Sequence, residues 1–230
     1  MVLTILAVIP GIVLFSLVYG LDRNEKEPMG LMWKLFCLGA ISVIPAAIVE
    51  LILKNVYQST FAFNNIVYLI ALCYFAIGLA EEGGKYFFLK MATWKSPEFN
   101  YTFDGVVYAV TVSLGFAVIE NIMYVLSTRS FGVAIMRALL SVPGHAMFGV
   151  YMGTYYGIAK LSESYINTAG RDKNLFRAYA AAVFIHGTYD FCLMTGQVVI
   201  VIPFLIFEIW FTFHTYKKLK LLAGADRRIQ

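Results

Sequence analysis

Charge is scarce in this chain. Only 14% of its 230 residues are Asp, Glu, Lys or Arg, whereas 60% are hydrophobic. That balance excludes an ordinary soluble globular domain. No internal repeat, low-complexity tract or polar stretch of domain length is visible. Cysteine is nearly missing: Cys37, Cys73 and Cys192 lie in apolar stretches without metal-ligand spacing, so they are expected to pack rather than to build a disulfide framework. The net charge of +4 does not call for nucleic acid. The basic residues gather at the ends of apolar runs, where membrane topology gives them another use. No basic residue precedes Arg23 and no small-residue cleavage site is clear, so the first run reads as a retained helix and not a signal peptide.

What is present is a series of apolar runs of about 20 residues, the helical length that crosses roughly 30 Å of hydrocarbon. Seven are expected, at about 2–20, 33–53, 65–89, 105–127, 137–159, 177–195 and 198–216. The expected fold is therefore all-α: one polytopic helix bundle over 1–230, embedded in the lipid bilayer. Gly196 and Gln197 alone separate the last two runs, which suggests a helical hairpin, and 160–176 reads as a polar loop. Arg23, Lys26 and Lys34 flank the first connection, Lys90 and Lys95 the third, and Lys160, Arg171, Lys173 and Arg177 the fifth. Lys217, Lys218, Lys220, Arg227 and Arg228 lie in the tail, while the other side holds only Lys54, Arg129 and Arg137. The asymmetry predicts an outside N-terminus and a cytoplasmic C-terminus.

Against this background LAEEGGKYFFL, residues 79–89, is anomalous. Glu81, Glu82 and Lys85 inside one span together cost roughly 8–10 kcal/mol before pairing. The apolar part of that span returns roughly 4–7 kcal/mol, so the helix needs a polar interior or water to face. Lys85 follows Glu81 by four residues and Glu82 by three, and either pair can meet on a helix face. The fourth span carries Glu120 and Asn121, with Phe116 one turn before Glu120; the fifth carries His145 after Pro143-Gly144; the sixth carries His186 and Asp190 at i, i+4. Taken singly, each has a structural reading: a buried ion pair, an interfacial acid near Arg129, a packing histidine. Four consecutive helices that each bear an acid or a histidine point to function. Glu50 and Glu208, near span ends, read as interfacial or interhelical. Counting ~1.5 Å per residue, Glu81 falls in the inner half of its span and Glu120 and His145 in their outer halves. Bringing them together needs tilt, a kink at Gly83-Gly84 or a deep aqueous cavity.

EEGGK at 81–85, FAVIEN at 116–121, the PGHA histidine at 145 and HGTYD at 186–190 together resemble the PrsW family, bacterial membrane proteases that make the first cut in an anti-sigma factor. The resemblance runs along nearly the whole chain, including PG at 10–11, EP at 27–28 and FDGVVY at 103–108. The distantly related CAAX prenyl proteases and bacteriocin-processing enzymes carry EExxxR, FxxxH and HxxxN. Here Lys85 stands one position earlier than the arginine, Glu120 replaces the histidine and Asp190 the asparagine. The resemblance implies a multi-pass protease of the bacterial cell membrane acting on a single-pass anti-sigma factor in stress signalling.

These residues suit peptide hydrolysis, which needs an activated water, charge stabilisation at the carbonyl and a proton for the leaving amine. Glu81 is expected as the general base, with Glu82 held by Lys85 or sharing a proton. His186, oriented by Asp190, would stabilise the oxyanion or protonate the leaving group, and His145 and Glu120 would complete the pocket. The expectation is catalysis by glutamate without a cofactor. The alternative is a zinc site drawing on His145, His186 and Glu81, although no HExxH is present. A proton-coupled transporter would also use intramembrane acids and histidines, but the two related halves of such proteins are not seen. A non-catalytic scaffold would not need so many costly groups.

Overall fold

The computed structural model describes residues 2–61 and 66–229, and among them secondary structure is helical apart from one isolated bridge between Tyr101 and Arg228. Seven long helical segments follow one another: α1 (Val2–Leu21), α2 (Met29–Thr60), α3 (Ile66–Thr93), α4 (Asp104–Thr128), α5 (Phe131–Ser164), α6 (Thr168–Met194) and α7 (Val198–Gly224). All except α6 are both long and apolar enough to cross a membrane. The apolar part of α6 coincides with the expected span at 177–195, but its first turns carry Arg171, Asp172, Lys173 and Asn174. The expected start of the third span at 65 lies outside the described residues. The α6–α7 hairpin is present, and Gly196 takes a positive φ of 62° in its turn, a conformation that costs glycine nothing.

The segment expected as a loop at 160–176 is helical except for Tyr165, Ile166 and Asn167. The Asn167 side chain accepts the Gly170 N–H at 2.9 Å and so caps α6. Polarity there marks a helix leaving the hydrocarbon, not a break in helical structure.

α4 is the central helix, buried along most of its length and packed against α1, α2 and α5. Glycine permits these approaches: a Cβ at Gly153 of α5 would run into the Gly105 backbone, and one at Gly39 of α2 would meet the Val112 carbonyl. α7 is peripheral and turns many large apolar side chains outward, as lipid-facing helices do.

Alternate connections converge on one end of the bundle. Asn24 bonds Asp226 at 2.9 Å, Asn100 bonds Glu25 at 3.1 Å and the Thr102 N–H bonds the Arg227 carbonyl at 2.9 Å. Lys160 reaches the Trp94 carbonyl at 2.8 Å. The first, third and fifth connections and the C-terminal segment thus share the end where the basic residues cluster, so all seven segments, α6 included, run from one end to the other.

Two interruptions position the site. Residues Ala71–Gly78 of α3 and Arg137–Ser141 of α5 are π-helical, with i→i+5 bonding. Leu79–Thr93 continues as α-helix through Gly83 and Gly84, so of the three ways to bring the groups together a kink at the glycines is not used, and the irregularity in α3 lies upstream of them. The Pro143 ring, which has no N–H to donate, sits in the first turn after the second π segment.

Candidate active site

The EEGGK segment faces the bundle interior, and all three of its charged residues are buried. Lys85 Nζ donates to Glu82 Oε1 at 2.7 Å and Glu81 Oε2 at 3.3 Å, and lies 3.0 Å from His145 Nδ1. It also stands 3.9 Å from the centre of the Phe116 ring, a cation–π arrangement that favours a desolvated ammonium. One lysine therefore meets both glutamates, where the spacing alone left the choice open. Glycine lets the neighbours close in: a Cβ at Gly83 would touch the Tyr179 hydroxyl at 3.3 Å.

His186, from α6, enters between the two glutamates. Its Nδ1 is 2.9 Å from Glu82 Oε1, and its Nε2 is 3.8 Å from Glu81 Oε2 and 3.4 Å from Asp190 Oδ2. Asp190 does lie beside the imidazole as the i, i+4 spacing suggests, but Glu82 is the nearer partner. The His186 ring stacks on Phe148 at 4.7 Å and meets His145 edge-on at 5.1 Å. His145 Nε2 in turn contacts Glu120 Oε2 at 3.1 Å. Glu120 is held by Arg137 at 2.7 Å, not by Arg129. Asn121 is fully buried; it accepts from Arg137 Nε at 3.1 Å and donates to the Ala7 carbonyl at 3.1 Å, tying the arginine to α1.

A cavity of about 580 Å³ adjoins this network. Glu81, Phe116, Glu120, His145, His186 and Asp190 all line it, while Glu82, Lys85 and Asn121 stand behind its wall. It reaches Ser127, Arg137 and Met194, near the helix ends opposite the basic cluster. The remaining lining is largely apolar, including Met123, Met136, Leu140 and Leu193. Two charged lining residues were not among the expected site residues. Arg137 reads in the sequence only as a topological marker, yet it reaches Glu120 from another helix; Glu50 reads as interfacial or interhelical, and it lines the cavity.

The donor chemistry can be tested against a metal ion. Glu81, Glu82, His145 and His186 each offer one ligand atom, and the four atoms lie within 4.8 Å of one another. Glu82 Oε2 is buried without a hydrogen-bond partner among the described residues. Two imidazoles and two carboxylates suit a zinc-type ion, and Glu120 behind His145 is the carboxylate support such ligands commonly have. Lys85 is the competitor, because its ammonium already bridges three of the four donors.

Comparison with known proteins gives a consistent picture. The model of a family described as PrsW family intramembrane metalloprotease matches residues 27–214. The chain is 33% identical over 213 residues to Protease PrsW of Bacillus subtilis (strain 168), covering 91% of each sequence. It is 34% identical to Protease PrsW of Oceanobacillus iheyensis over 199 residues, 86% of each. Protease PrsW of Clostridioides difficile (strain 630) is 33% identical over 195 residues, 84% of this chain and 79% of the relative. No solved structure matches the chain significantly.

Proposed function

This chain belongs to the PrsW family of intramembrane proteases, and on that premise we propose that it makes the first cut in a single-pass membrane anti-sigma factor, using a water activated by Glu81. The observation that carries the mechanism is the division of labour within EEGGK. Glu81 lines the cavity, whereas Glu82 and Lys85 lie behind it, completely buried. The 3.8 Å between Glu81 Oε2 and His186 Nε2 is a separation that one water can bridge. Glu81 takes a proton from that water as its oxygen attacks the peptide carbonyl carbon. His186 acts as an imidazolium: its Nδ1–H is donated to Glu82 across 2.9 Å, its Nε2–H faces the scissile bond, donates to the developing oxyanion and passes to the leaving amine, and the proton held by Glu81 then returns to Nε2. The C–N bond then breaks, giving a carboxylate and an amine. The largely apolar lining suits an unwound stretch of a membrane helix.

A second reading is favoured by the four converging donors. A zinc ion held by Glu81, Glu82, His145 and His186 would supply a Lewis acid and a water that ionises near neutral pH. Lys85 weighs against it, since its ammonium would have to leave the same oxygens. We expect exhaustive chelation to leave cleavage by purified protein unchanged; loss of activity that added zinc restores assigns the reaction to the ion.

The substrate assignment is tested by reconstituting purified protein with a candidate single-pass anti-sigma factor and mapping the new termini by mass spectrometry. A cut near the outer membrane face is expected. Cleavage confined to the cytoplasmic side, or none of any anti-sigma factor tried, contradicts it.

A further inference from the structure

A second group of acids lies at the opposite end of the bundle, outside the hydrolytic network. Asp22 follows α1, Glu27 stands just before α2 and Asp104 is the first residue of α4. All three are almost completely buried, at 1%, 3% and 1% exposure. Each offers a carboxylate oxygen, and the three oxygens lie within 4.8 Å of one another. Some valences are filled. Tyr108 donates its hydroxyl to Glu27 Oε2 at 2.6 Å, and Asp104 Oδ2 accepts the N–H groups of Asn100 and Tyr101 at 3.0 and 2.6 Å.

Others are not. Asp22 Oδ2 and Asp104 Oδ1 are buried with no hydrogen-bond partner among the described residues, and so is Oδ1 of Asn100, whose backbone bonds Asp104. Among the described residues no lysine or arginine nitrogen comes within 4.0 Å of the three carboxylates. Lys26, the nearest lysine in sequence, gives its ammonium to the Tyr19 carbonyl. The Lys26 charge acts on Asp22 only from beyond contact distance, and three buried acids with no cation in contact are costly, because each charge loses its hydration with little compensation.

We infer that Asp22, Glu27 and Asp104 bind a hard divalent cation, Mg²⁺ or Ca²⁺, which ties the α1–α2 connection to the start of α4. The ligands are all oxygens, the preference of hard ions and not of zinc. That sets this cluster apart from the one in the cavity, where two histidines contribute. The last carbonyls of α1 add the negative end of a helix dipole beside Asp22. The C-terminal segment docks alongside: Asp226 accepts from Asn24, from the Thr102 hydroxyl and from the Phe103 N–H. The cation would therefore fasten a cap that joins the first connection, the third connection and the tail.

The test uses full-length protein in detergent after chelation, titrated with Tb³⁺, an oxygen-seeking ion whose emission nearby tyrosine sensitises. Tyr108, bonded to Glu27, is the expected antenna. Wild type should show saturable emission that Mg²⁺ or Ca²⁺ displaces, and Mg²⁺ or Ca²⁺ should raise its melting temperature. Emission should fall in Tyr108→Phe. Affinity in Asp22→Asn/Glu27→Gln should drop by at least the roughly 10–100-fold that loss of an outer-shell partner costs, and the thermal shift should vanish. If the double variant does not fold, wild type and Tyr108→Phe still decide. Absence of displaceable emission in wild type overturns the inference. So does emission that neither variant reduces, which would place the ion at the cavity or leave the acids sharing protons.

Discussion

Lys85 is the residue on which the site's charge balance turns. It is fully buried and contacts Glu81, Glu82 and His145 together. Removing one partner of a buried ion pair typically costs ~3–5 kcal/mol, because the other charge is left uncompensated. Lys85→Met is therefore expected to lower unfolding stability in detergent by about that amount and to abolish cleavage; a melting temperature equal to wild type would show that the carboxylates find another partner. A second expectation concerns His186. Glu82 at 2.9 Å, and not Asp190 at 3.4 Å, is its closer partner. Glu82→Gln should thus reduce cleavage more than Asp190→Asn, with His186→Ala inactive, in a series matched for membrane level. Asp190→Asn as inactive as His186→Ala would give that carboxylate a direct part in the chemistry. The chemical types of these residues were legible in the sequence because charge is so rare in the spans. Their pairing was not. The closest contact of Glu120 is with Arg137, seventeen residues away on another helix, which no local spacing reveals.

At the scale of helices, apolar length located the elements, and polarity misled at one place. The 160–176 stretch looked like a loop because it is polar, yet helix continues through most of it into water. The π segments at 71–78 and 137–141 have no compositional mark, since i→i+5 bonding arises from packing and not from propensity. They precede Glu81 and His145, and changes in axial register there can reconcile groups that even spacing placed at different depths. The α4–α5 contact must keep Glu120 beside His145. Leucine at Gly153 has no space against the Gly105 backbone, and overpacking of this kind costs ~1–3 kcal/mol. Gly153→Leu is expected to insert normally but to melt at lower temperature and lose cleavage. Full activity in that variant would show that the two helices can separate without disturbing the site.

For the whole molecule, the convergence of alternate connections at the basic end agrees with an odd number of crossings and with the charge asymmetry across them. Reporter fusions after Gln230 and within 165–167 are expected to read cytoplasmic; periplasm-type activity after Gln230 would contradict the proposed orientation. Under the proposed orientation the cavity falls in the outer half of the bundle, which is where the proposed hydrolysis would take place. A seven-helix bundle and a polar constellation were readable from hydropathy and from the cost of intramembrane charge. That Glu81 alone of the EEGGK charges lines the cavity was not, because it depends on which face of α3 the other helices cover. The central claim is tested most directly by the rate at which reconstituted Glu81→Gln cleaves a single-pass substrate, compared with wild type at equal incorporation. Amide replacement keeps the side chain's shape and removes its basicity, so the account predicts a fall of ~10²–10⁴-fold with insertion and thermal stability retained. Cleavage at the wild-type rate would contradict it and move the base to another of the carboxylates.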